Sequence, residues 1–209
     1  MENIRELLNS FSKEDYINNN VDLHIHTNYS DGNGFAEQII ISAKEKKYKL
    51  ISITDHNTIE AHKKLNDPIL LTGVEFDCWF GYIFIHLLAY GIDINHPELQ
   101  NFLAKNKREK RNVIPRLFAR RNVKKLIAAI HNAGGIAVLA HPACYWALNL
   151  EQLIKDLIEI GLDGIETYYP YPRFRSIIKF HSSEKVIKIA HKYPQLIKTG
   201  GTDFHEIDF

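Results

Sequence analysis

The sequence has few cysteines, almost no net charge and no long apolar run. Cys78 and Cys144 are the only cysteines among 209 residues, which excludes a disulfide framework and a thiolate metal site. The 26 basic and 25 acidic residues give a net charge of +1, which argues against a general polyanion-binding protein. No stretch is long and apolar enough to span a bilayer, and the first twenty residues lack the apolar core of a signal peptide. We therefore expect a soluble, cytoplasmic protein with no membrane partner.

Short β-branched runs alternate with longer segments of helical periodicity, which indicates an α/β fold. The length and the 45% hydrophobic content suit one domain with a single large core. Residues 1–20 are expected to form an N-terminal extension or helix, and residues 21–209 the domain. The predicted strands are residues 21–26, 50–55, 69–75, 82–90, 136–140, 164–168 and 196–200. About seven strands joined by crossovers predict a parallel sheet that is closed into a barrel.

Helices are predicted between these strands. They cover residues 35–47, 59–66, 150–160 and 175–192. Residues 96–132 are expected to be mostly helical, with a break at Pro115. Asn149 and Gln152 form a plausible capping box for the helix that starts at residue 150.

Side chains that can bind metal recur at the ends of the predicted strands. They are His24, His26, Asp31, Asp55, His56, Glu75, His86, His141, Asp203 and His205. In a β/α barrel the C-terminal ends of the strands meet at one face, so we expect these groups to converge there. Each short motif is weak alone, since an H-x-H pair arises readily by chance. Imidazoles and carboxylates without thiolates suit Mn²⁺, Fe²⁺ or Zn²⁺, and so many donors suit two or three ions that share a bridging carboxylate.

The order of these motifs resembles the PHP (polymerase and histidinol phosphatase) family. The chain shows H-x-H, S-D-G, T-D-H, G-x-E, a lone histidine about eleven residues later, A-H-P and D-F-H, across residues 21–205. The resemblance implies a distorted (β/α)7 barrel, a trinuclear metal site and hydrolysis of phosphate esters by metal-activated hydroxide. The most similar branch contains small bacterial phosphoesterases that act on nucleotides or short oligonucleotides.

The resemblance also assigns nine metal ligands. The first metal would be held by His24, His26, Glu75 and Asp203. Glu75 would bridge to a second metal, which His86 and His141 complete. The third would be held by Asp31, His56 and His205. Within this set the catalytic residues would be His24, His26, Glu75, Asp203 and His205. Asp55 would not bind metal but would orient an imidazole through its other ring nitrogen.

Candidate phosphate-binding residues lie outside the metal motifs. Residues 105–125 hold ten basic residues and one acid, which would steer a phosphorylated or nucleic-acid substrate, or would simply form a solvated helix face. The candidate arginines are Arg116, Arg120, Arg121, Arg173 and Arg175. The chain also departs from the family pattern. Residues 96–132 form an abbreviated cap, so we expect a more open site. Ala143 and Cys144 replace a frequent Gly-Arg pair that would contact phosphate, and the usual closing helix after His205 is missing.

Two alternatives to a phosphoesterase remain open at this point. An amidohydrolase-like barrel that cleaves C–N bonds also begins with H-x-H, although Asp31, Glu75 and the closing D-F-H fit it poorly. A metal-binding docking domain without catalysis is the other. The substrate would be a nucleotide, an oligonucleotide or a small phosphorylated metabolite, and the sequence leaves the oligomeric state open.

Overall fold

In the computed structural model, residues 1–118, 120–170 and 180–209 are described, and seven strands within them form one sheet in chain order. The strands are β1 (Val21–Ile25), β2 (Leu50–Ile53), β3 (Leu70–Phe80), β4 (Ile83–Tyr90), β5 (Ile136–Leu139), β6 (Gly164–Tyr168) and β7 (Ile197–Gly200). The α-helices are α1 (Glu2–Asn9), α2 (Lys13–Ile17), α3 (Ala36–Glu45), α4 (Glu60–Lys64), α5 (Pro97–Gln100), α6 (Arg108–Arg111), α7 (Val113–Phe118), α8 (Val123–Asn132), α9 (Leu150–Glu159) and α10 (Ser183–Lys192). None of the helices in these residues is both long and apolar enough to cross a lipid bilayer.

The prediction of a parallel sheet is wrong for one strand. β4 runs antiparallel to both β3 and β5, while the other neighbouring strands are parallel. β3 extends to Phe80, past its predicted end at Glu75, and reaches β4 through the two residues Gly81 and Tyr82. A turn this short can join only antiparallel strands, since parallel neighbours need a crossover. Gly81 has φ +60, the left-handed conformation that glycine adopts without strain.

The sheet curls until its first strand meets the segment after its last one. Ile25 forms a parallel bridge with Phe204. The His26 N–H donates to the Phe204 carbonyl at 2.8 Å, and the Phe204 N–H donates to the His24 carbonyl at 3.1 Å. The predicted α/β fold, a distorted seven-stranded barrel in a single domain, is therefore confirmed.

The first helix covers the amino end of the barrel. Leu8 of α1 is fully buried in the core that joins α1 and α2 to β1, β4 and β5. The Arg5 guanidinium donates to the Asp163 carboxylate at 2.6 Å and to the Gln195 carbonyl at 3.2 Å. Asp163 and Gln195 precede β6 and β7, so this salt bridge fixes α1 over the amino ends of those strands.

Two of the predicted helix boundaries are wrong. Pro115 does not break a helix: it is the third residue of α7, where its missing N–H costs no intrahelical hydrogen bond. The break falls at Asn112, whose backbone is extended. The helix predicted from residue 175 begins at Ser183, because the Ser182 hydroxyl caps it by accepting the Lys185 N–H at 3.1 Å. Residues 175–179 of that prediction lie outside the described residues.

Candidate metal centre

All nine predicted ligand residues converge at one end of the barrel. They are His24 on β1, His26 directly after β1, Asp31 and His56 in the loops after β1 and β2, Glu75 on β3, His86 on β4, and His141, Asp203 and His205 after β5 and β7. Seven of them, all but His24 and His26, line a cleft of about 270 Å³. The residues that line this cleft are Asp31, His56, Glu75, His86, Arg116, His141, Cys144, Tyr169, Asp203 and His205.

Two of these residues do not end a strand, contrary to the sequence-based expectation. Glu75 is the sixth of eleven residues in β3, and His86 is the fourth of eight in β4. His86 still reaches the cleft because β4 runs in the opposite direction, which brings its first half to the carboxyl end of the parallel strands. The register pairs His86 with Asp77, two residues after Glu75. Glu75 and Asp77 therefore project from the same face of β3.

Glu75 lies at the centre of the cluster, almost entirely buried. Its Oε2 atom lies 3.3 Å from His24 Nε2, 3.1 Å from His26 Nε2 and 3.3 Å from His56 Nδ1. Its other oxygen, Oε1, lies 2.9 Å from His86 Nδ1 and 3.3 Å from His141 Nε2. The two oxygens therefore face two different sets of imidazoles.

A second carboxylate faces the histidines of β1. Asp203 Oδ1 lies 3.1 Å from His26 Nε2 and 3.5 Å from His24 Nε2. The two Nε2 atoms are themselves 3.1 Å apart. Tyr169 donates its hydroxyl hydrogen to Asp203 Oδ2 at 2.7 Å, which leaves Oδ1 directed at the imidazoles.

A third group forms around Asp31 at the mouth of the cleft. Asp31 Oδ1 lies 3.2 Å from His205 Nε2 and 3.7 Å from His26 Nδ1, and Oδ2 lies 3.6 Å from His56 Nε2. These four residues form one of three sets whose ligand atoms all lie within 4.8 Å of one another. The other two sets are His24, His26 and Asp203, and His56, Glu75 and His86.

Without a metal ion the cluster is held together by protons on its imidazoles. Burial opposes the charged form of His26, but hydrogen bonds with Asp203 and Glu75 outweigh it and raise the pKa of His26 to about 9. For His86, burial is again outweighed, here by Glu75 and Asp77, and its pKa rises to about 10. Burial alone would raise the pKa of Glu75, yet His56, His24 and His86 hold that pKa well below its ordinary value.

The donor atoms present fit divalent cations. They are imidazole nitrogens and carboxylate oxygens, which suit Mn²⁺, Fe²⁺ or Zn²⁺. Several buried donor atoms also have no hydrogen bond within the described residues, among them His56 Nδ1, His141 Nδ1 and Asp77 Oδ1. Asp77 Oδ1 and His56 Nδ1 are 3.3 Å apart, but their geometry does not form a hydrogen bond. A cation would satisfy such buried lone pairs, which are costly when they are left unpaired.

Two buried carboxylates orient the histidines, and neither was identified from the sequence. Asp77 Oδ1 lies 3.1 Å from His86 Nε2, so His86 turns Nδ1 towards Glu75. Glu166 lies 3.0 Å from His24 Nδ1 and accepts the His141 N–H at 2.7 Å. Such contacts fix the orientation of a metal-binding imidazole. The sequence contained a signal for each carboxylate. Asp77 follows Glu75 by two residues, so strand alternation places both on one face. Glu166 is the acidic residue of β6.

The role predicted for Asp55 is wrong. Among the described residues, its carboxylate accepts hydrogen bonds from the Thr27 N–H and hydroxyl, both at 2.7 Å, and from the Ser30 hydroxyl at 2.6 Å, rather than from an imidazole. Both donor residues belong to the loop after β1. Asp55 therefore shapes the loop that presents Asp31.

Only one of the predicted phosphate-binding arginines faces the metal centre in the described residues. Arg116 is buried, lines the cleft and places Nη1 3.1 Å from Asp31 Oδ2. Arg121 instead donates to the Phe102 carbonyl at 2.6 Å and to the Asp77 carbonyl at 3.1 Å, so its predicted role in this cleft is wrong. Arg120 is exposed and lines a different cleft, because it follows α7 rather than facing inwards from it. Arg173 and Arg175 lie outside the described residues.

Strained backbone conformations occur where strands lead into the site. Asn57, His141 and Asp203 have φ angles of 54°, 25° and 51°, which are unfavourable for residues other than glycine. Each such conformation costs on the order of 1–3 kcal/mol and persists only where the surrounding structure enforces it. His141 and Asp203 are thus turned into the cleft at the expense of local stability.

The chain belongs to the PHP domain family, whose model matches residues 22–196. The matched region contains eight of the ten metal-binding candidates identified from the sequence, all but Asp203 and His205.

Several characterised proteins are similar to this chain. The 5'-3' exoribonuclease Rnm of Salmonella typhimurium is 35% identical over 81% of this chain and 64% of its own length. The chain therefore spans less than two thirds of that relative. The phosphoribosyl 1,2-cyclic phosphate 1,2-diphosphodiesterase of Eggerthella lenta is 23% identical over 88% of this chain and 93% of its own. Among solved structures, an amidohydrolase from Chromobacterium violaceum has the same fold, with a TM-score of 0.73 and 21% identity over 90% of this chain and 88% of that one.

Proposed function

We propose that this chain is a metal-dependent phosphoesterase that hydrolyses a phosphate ester of a nucleotide, an oligonucleotide or a small metabolite. The observation that carries the proposal is the buried carboxylate of Glu75, whose two oxygens face separate sets of imidazoles at 2.9–3.3 Å. That arrangement suits a carboxylate shared by two cations. We also propose a cytoplasmic location, which the low cysteine content, two residues in 209, supports.

The proposed site takes two or three divalent ions, Mn, Fe or Zn. The ligands of the first would be His24, His26, Glu75 and Asp203, those of the second Glu75, His86 and His141, and those of the third Asp31, His56 and His205. When bound, such ions lower the pKa of water and neutralise charge on the phosphoryl oxygens. The distances among these residues support the grouping, although His26 and His56 each lie close enough to serve two groups.

The protein's own residues orient the ligands and bind the phosphate. Glu166 and Asp77 hold His24 and His86 so that one ring nitrogen of each faces Glu75. Burial and the neighbouring Asp203 raise the pKa of Tyr169, so its hydroxyl keeps its proton and continues to donate to Asp203.

Arg116 is the proposed phosphate ligand. Its Nη1 atom is ion-paired with Asp31 Oδ2 at 3.1 Å, and both Nε and Nη1 are buried in the cleft wall with no hydrogen-bond geometry to the described residues. A phosphoryl group in the cleft would accept from this guanidinium, which can bind two oxygens at once.

A nucleic-acid substrate is favoured among the candidates. The relative from Salmonella typhimurium, at 35% identity, is an exoribonuclease, whereas the relative from Eggerthella lenta, at 23% identity, is a diphosphodiesterase for a phosphoribosyl cyclic phosphate. The cleft of about 270 Å³ is slightly smaller than typical small-molecule sites of roughly 300–1,000 Å³. It would therefore hold a phosphoryl group and part of a nucleoside, with the rest of a longer substrate outside.

Metal analysis and hydrolysis assays test the proposal together. We expect the purified chain to contain Mn, Fe or Zn and, after loading with Mn²⁺, to hydrolyse a phosphate ester among mononucleotides, 5'-phosphorylated oligoribonucleotides and p-nitrophenyl phosphate. An amide substrate, assayed in parallel, should remain uncleaved. His141→Ala should remain folded and lose turnover. The matched control His191→Ala should retain turnover, since His191 is exposed on α10. A protein without metal and without hydrolysis of any ester would refute the proposal.

A further inference from the structure

A second cleft, larger than the one at the metal centre, lies among α5, α6, α7 and the segment before α8. Its volume is about 550 Å³. Lys105, Arg108, Arg120 and Arg121 line it with one acid, Glu109. We call it the basic cleft.

The charge of the basic cleft is concentrated and unneutralised. Residues 105–125 hold ten of the 26 basic and one of the 25 acidic residues, which leaves 16 basic and 24 acidic residues in the other 188. Some cations elsewhere on the surface pair with acids, as Lys49 does with Asp15 at 2.6 Å and Lys63 with Glu60 at 3.0 Å. Across the described part of the chain, neither Arg108 nor Arg120 forms an ion pair, although both are exposed.

The acid in the basic cleft is already engaged by its own loop. Glu109 accepts the Lys105 N–H at 3.1 Å and an Asn106 side-chain N–H at 2.6 Å. Its carboxylate therefore stabilises the turn before α6 and, among the described residues, forms no ion pair with Arg108 or Arg120, although its charge acts on Arg121. A polyanion that enters the basic cleft would meet at least two guanidinium groups without competing ion pairs.

The same cleft contains an exposed aromatic ring. Phe118 at the end of α7 is 79% exposed and lines the basic cleft beside Arg120. A ring this accessible costs free energy in water unless something covers it. Aromatic rings beside cationic side chains are the combination with which proteins bind single-stranded nucleic acid, because bases stack on the ring while cations contact phosphates.

Helix α7 separates the basic cleft from the metal centre. Pro115 and Phe118 face the basic cleft, while Arg116, on the same helix, faces the metal centre. The helix is fixed to the barrel by Trp79, whose indole N–H donates to the Leu117 carbonyl at 2.8 Å. Since a helix with its side chains is about 10–12 Å across, the two clefts are separated by roughly that distance.

We propose that the basic cleft binds single-stranded nucleic acid, namely the part of a strand that continues beyond the phosphate ester held at the metal centre. The inference rests on the proposed function for the identity of the substrate. It adds a binding site on α6 and α7 that is separate from the metal ligands. It also explains why cations cluster on a chain whose overall charge is close to zero.

Binding without turnover tests the basic cleft directly. A fluorescently labelled single-stranded RNA of about twelve nucleotides is titrated with EDTA-treated protein, and anisotropy is measured from low to high salt. The double variant R108E/R120E should bind at least tenfold more weakly. Its salt dependence, the slope of log K against log salt, should fall by about 1.4, because each phosphate contact on a single strand contributes roughly 0.7. Phe118→Ala, which retains every charge, should weaken binding at least fivefold.

The matched control changes the same charge outside the basic cleft. K124E/K125E lies in the same basic segment, on exposed positions at the start of α8 that do not line the cleft. It should weaken binding less than threefold. An equal loss of RNA affinity in the two double variants would mean that only general electrostatic attraction is involved. No loss of affinity in R108E/R120E would mean that the RNA binds another surface. Either result would overturn the proposal.

Turnover separates this inference from the proposed function. With Mn²⁺ present, R108E/R120E should lower kcat/KM for an oligonucleotide at least tenfold and leave hydrolysis of p-nitrophenyl phosphate unchanged. An equal loss on both substrates would mean that the variant acts through the metal centre, and would overturn the basic cleft as a binding site. If the wild-type protein hydrolyses no ester with any metal, the proposed function fails, and the anisotropy comparison still decides whether the basic cleft binds RNA.

Discussion

The protein without its metals should become less stable as the pH rises above 6.5. Carboxylates raise the pKa of His26 to about 9 and that of His86 to about 10, in spite of burial. In the unfolded chain the same imidazoles release their protons near pH 6.5. The stability that these protons provide is therefore complete below pH 6.5 and is lost as the pH rises through 9 to 10.

The size of the effect follows from the difference between the folded and unfolded pKa values. Above pH 6.5 each pH unit costs up to about 1.4 kcal/mol per imidazole, so His26 alone loses about 3 kcal/mol by pH 8.5. His86 adds less than the same amount, because both imidazoles share Glu75 and titrate as a coupled pair. A loss of 3 kcal/mol is a large fraction of a typical unfolding free energy of about 5–15 kcal/mol. In a chain of this size it corresponds to a fall in Tm of roughly 6–12 °C.

Thermal unfolding of EDTA-treated protein between pH 6.5 and 8.5 measures this directly. Glu75→Gln should flatten the dependence, since it removes the carboxylate that both imidazoles contact, and His191→Gln on α10 serves as the control. With Mn²⁺ or Zn²⁺ present the trend should reverse, because metal binds the deprotonated imidazole and its stabilising effect grows with pH. A Tm of the metal-free protein that stays constant or rises from pH 6.5 to 8.5 would refute the reasoning.

Three further substitutions test separate parts of the structure. Asp77→Asn should lower metal affinity or turnover about 10–100-fold, because His86 loses the carboxylate that orients it. A metal titration followed by activity measures this, and an unchanged metal affinity would contradict it. Arg116→Lys keeps the charge but not the two-pronged geometry, so KM for the phosphate ester should rise up to about tenfold at constant metal content; an unchanged KM would mean that the guanidinium does not contact substrate. Asn149→Ala removes the cap that accepts the Gln152 N–H at 3.2 Å and should cost about 1 kcal/mol, or roughly 2–4 °C in Tm. Turnover should be unaffected in that variant, and a loss of activity would mean that α9 supports the cleft.

The convergence of the nine candidate ligands was predictable because strand alternation and motif order pointed to the same residues. On β1 the alternation places Asp22, His24 and His26 on one side, and the structure gives all three buried polar contacts there. Asp22, which had no predicted role, accepts the Thr202 N–H at 3.0 Å and so links β1 to the segment that carries Asp203. The hydrophobic pattern was sufficient on β1 because its residues alternate between apolar and polar.

The direction of β4 and the role of Asp77 were missed for one common reason. Ending β3 at Glu75 left residues 76–80 without a structure, so the two-residue turn at Gly81 was not apparent. A strand that continues to Phe80 places Asp77 beside Glu75 and forces a hairpin. The error in one boundary therefore concealed both a strand direction and a buried carboxylate.

The contacts of Asp55 and Arg121 were not predictable from their positions in the chain. Each forms its hydrogen bonds with groups that the fold brings near, the loop after β1 for Asp55 and two main-chain carbonyls for Arg121. Residue type indicates what a side chain can bind, but only the packing determines which partner is within reach.

The helix that covers the amino end of the barrel limits how a polymer can be processed. Buried side chains of β1, β4 and β5, among them Leu23, Tyr90 and Val138, fill the barrel, and Arg5 fixes α1 over its amino end, so the proposed polymeric substrate could not be threaded through the barrel. Substrate has to arrive and product has to depart through a shared opening. Cleaved product would consequently obstruct the next strand until it diffuses away, so inhibition by product should grow with the length of the fragment released.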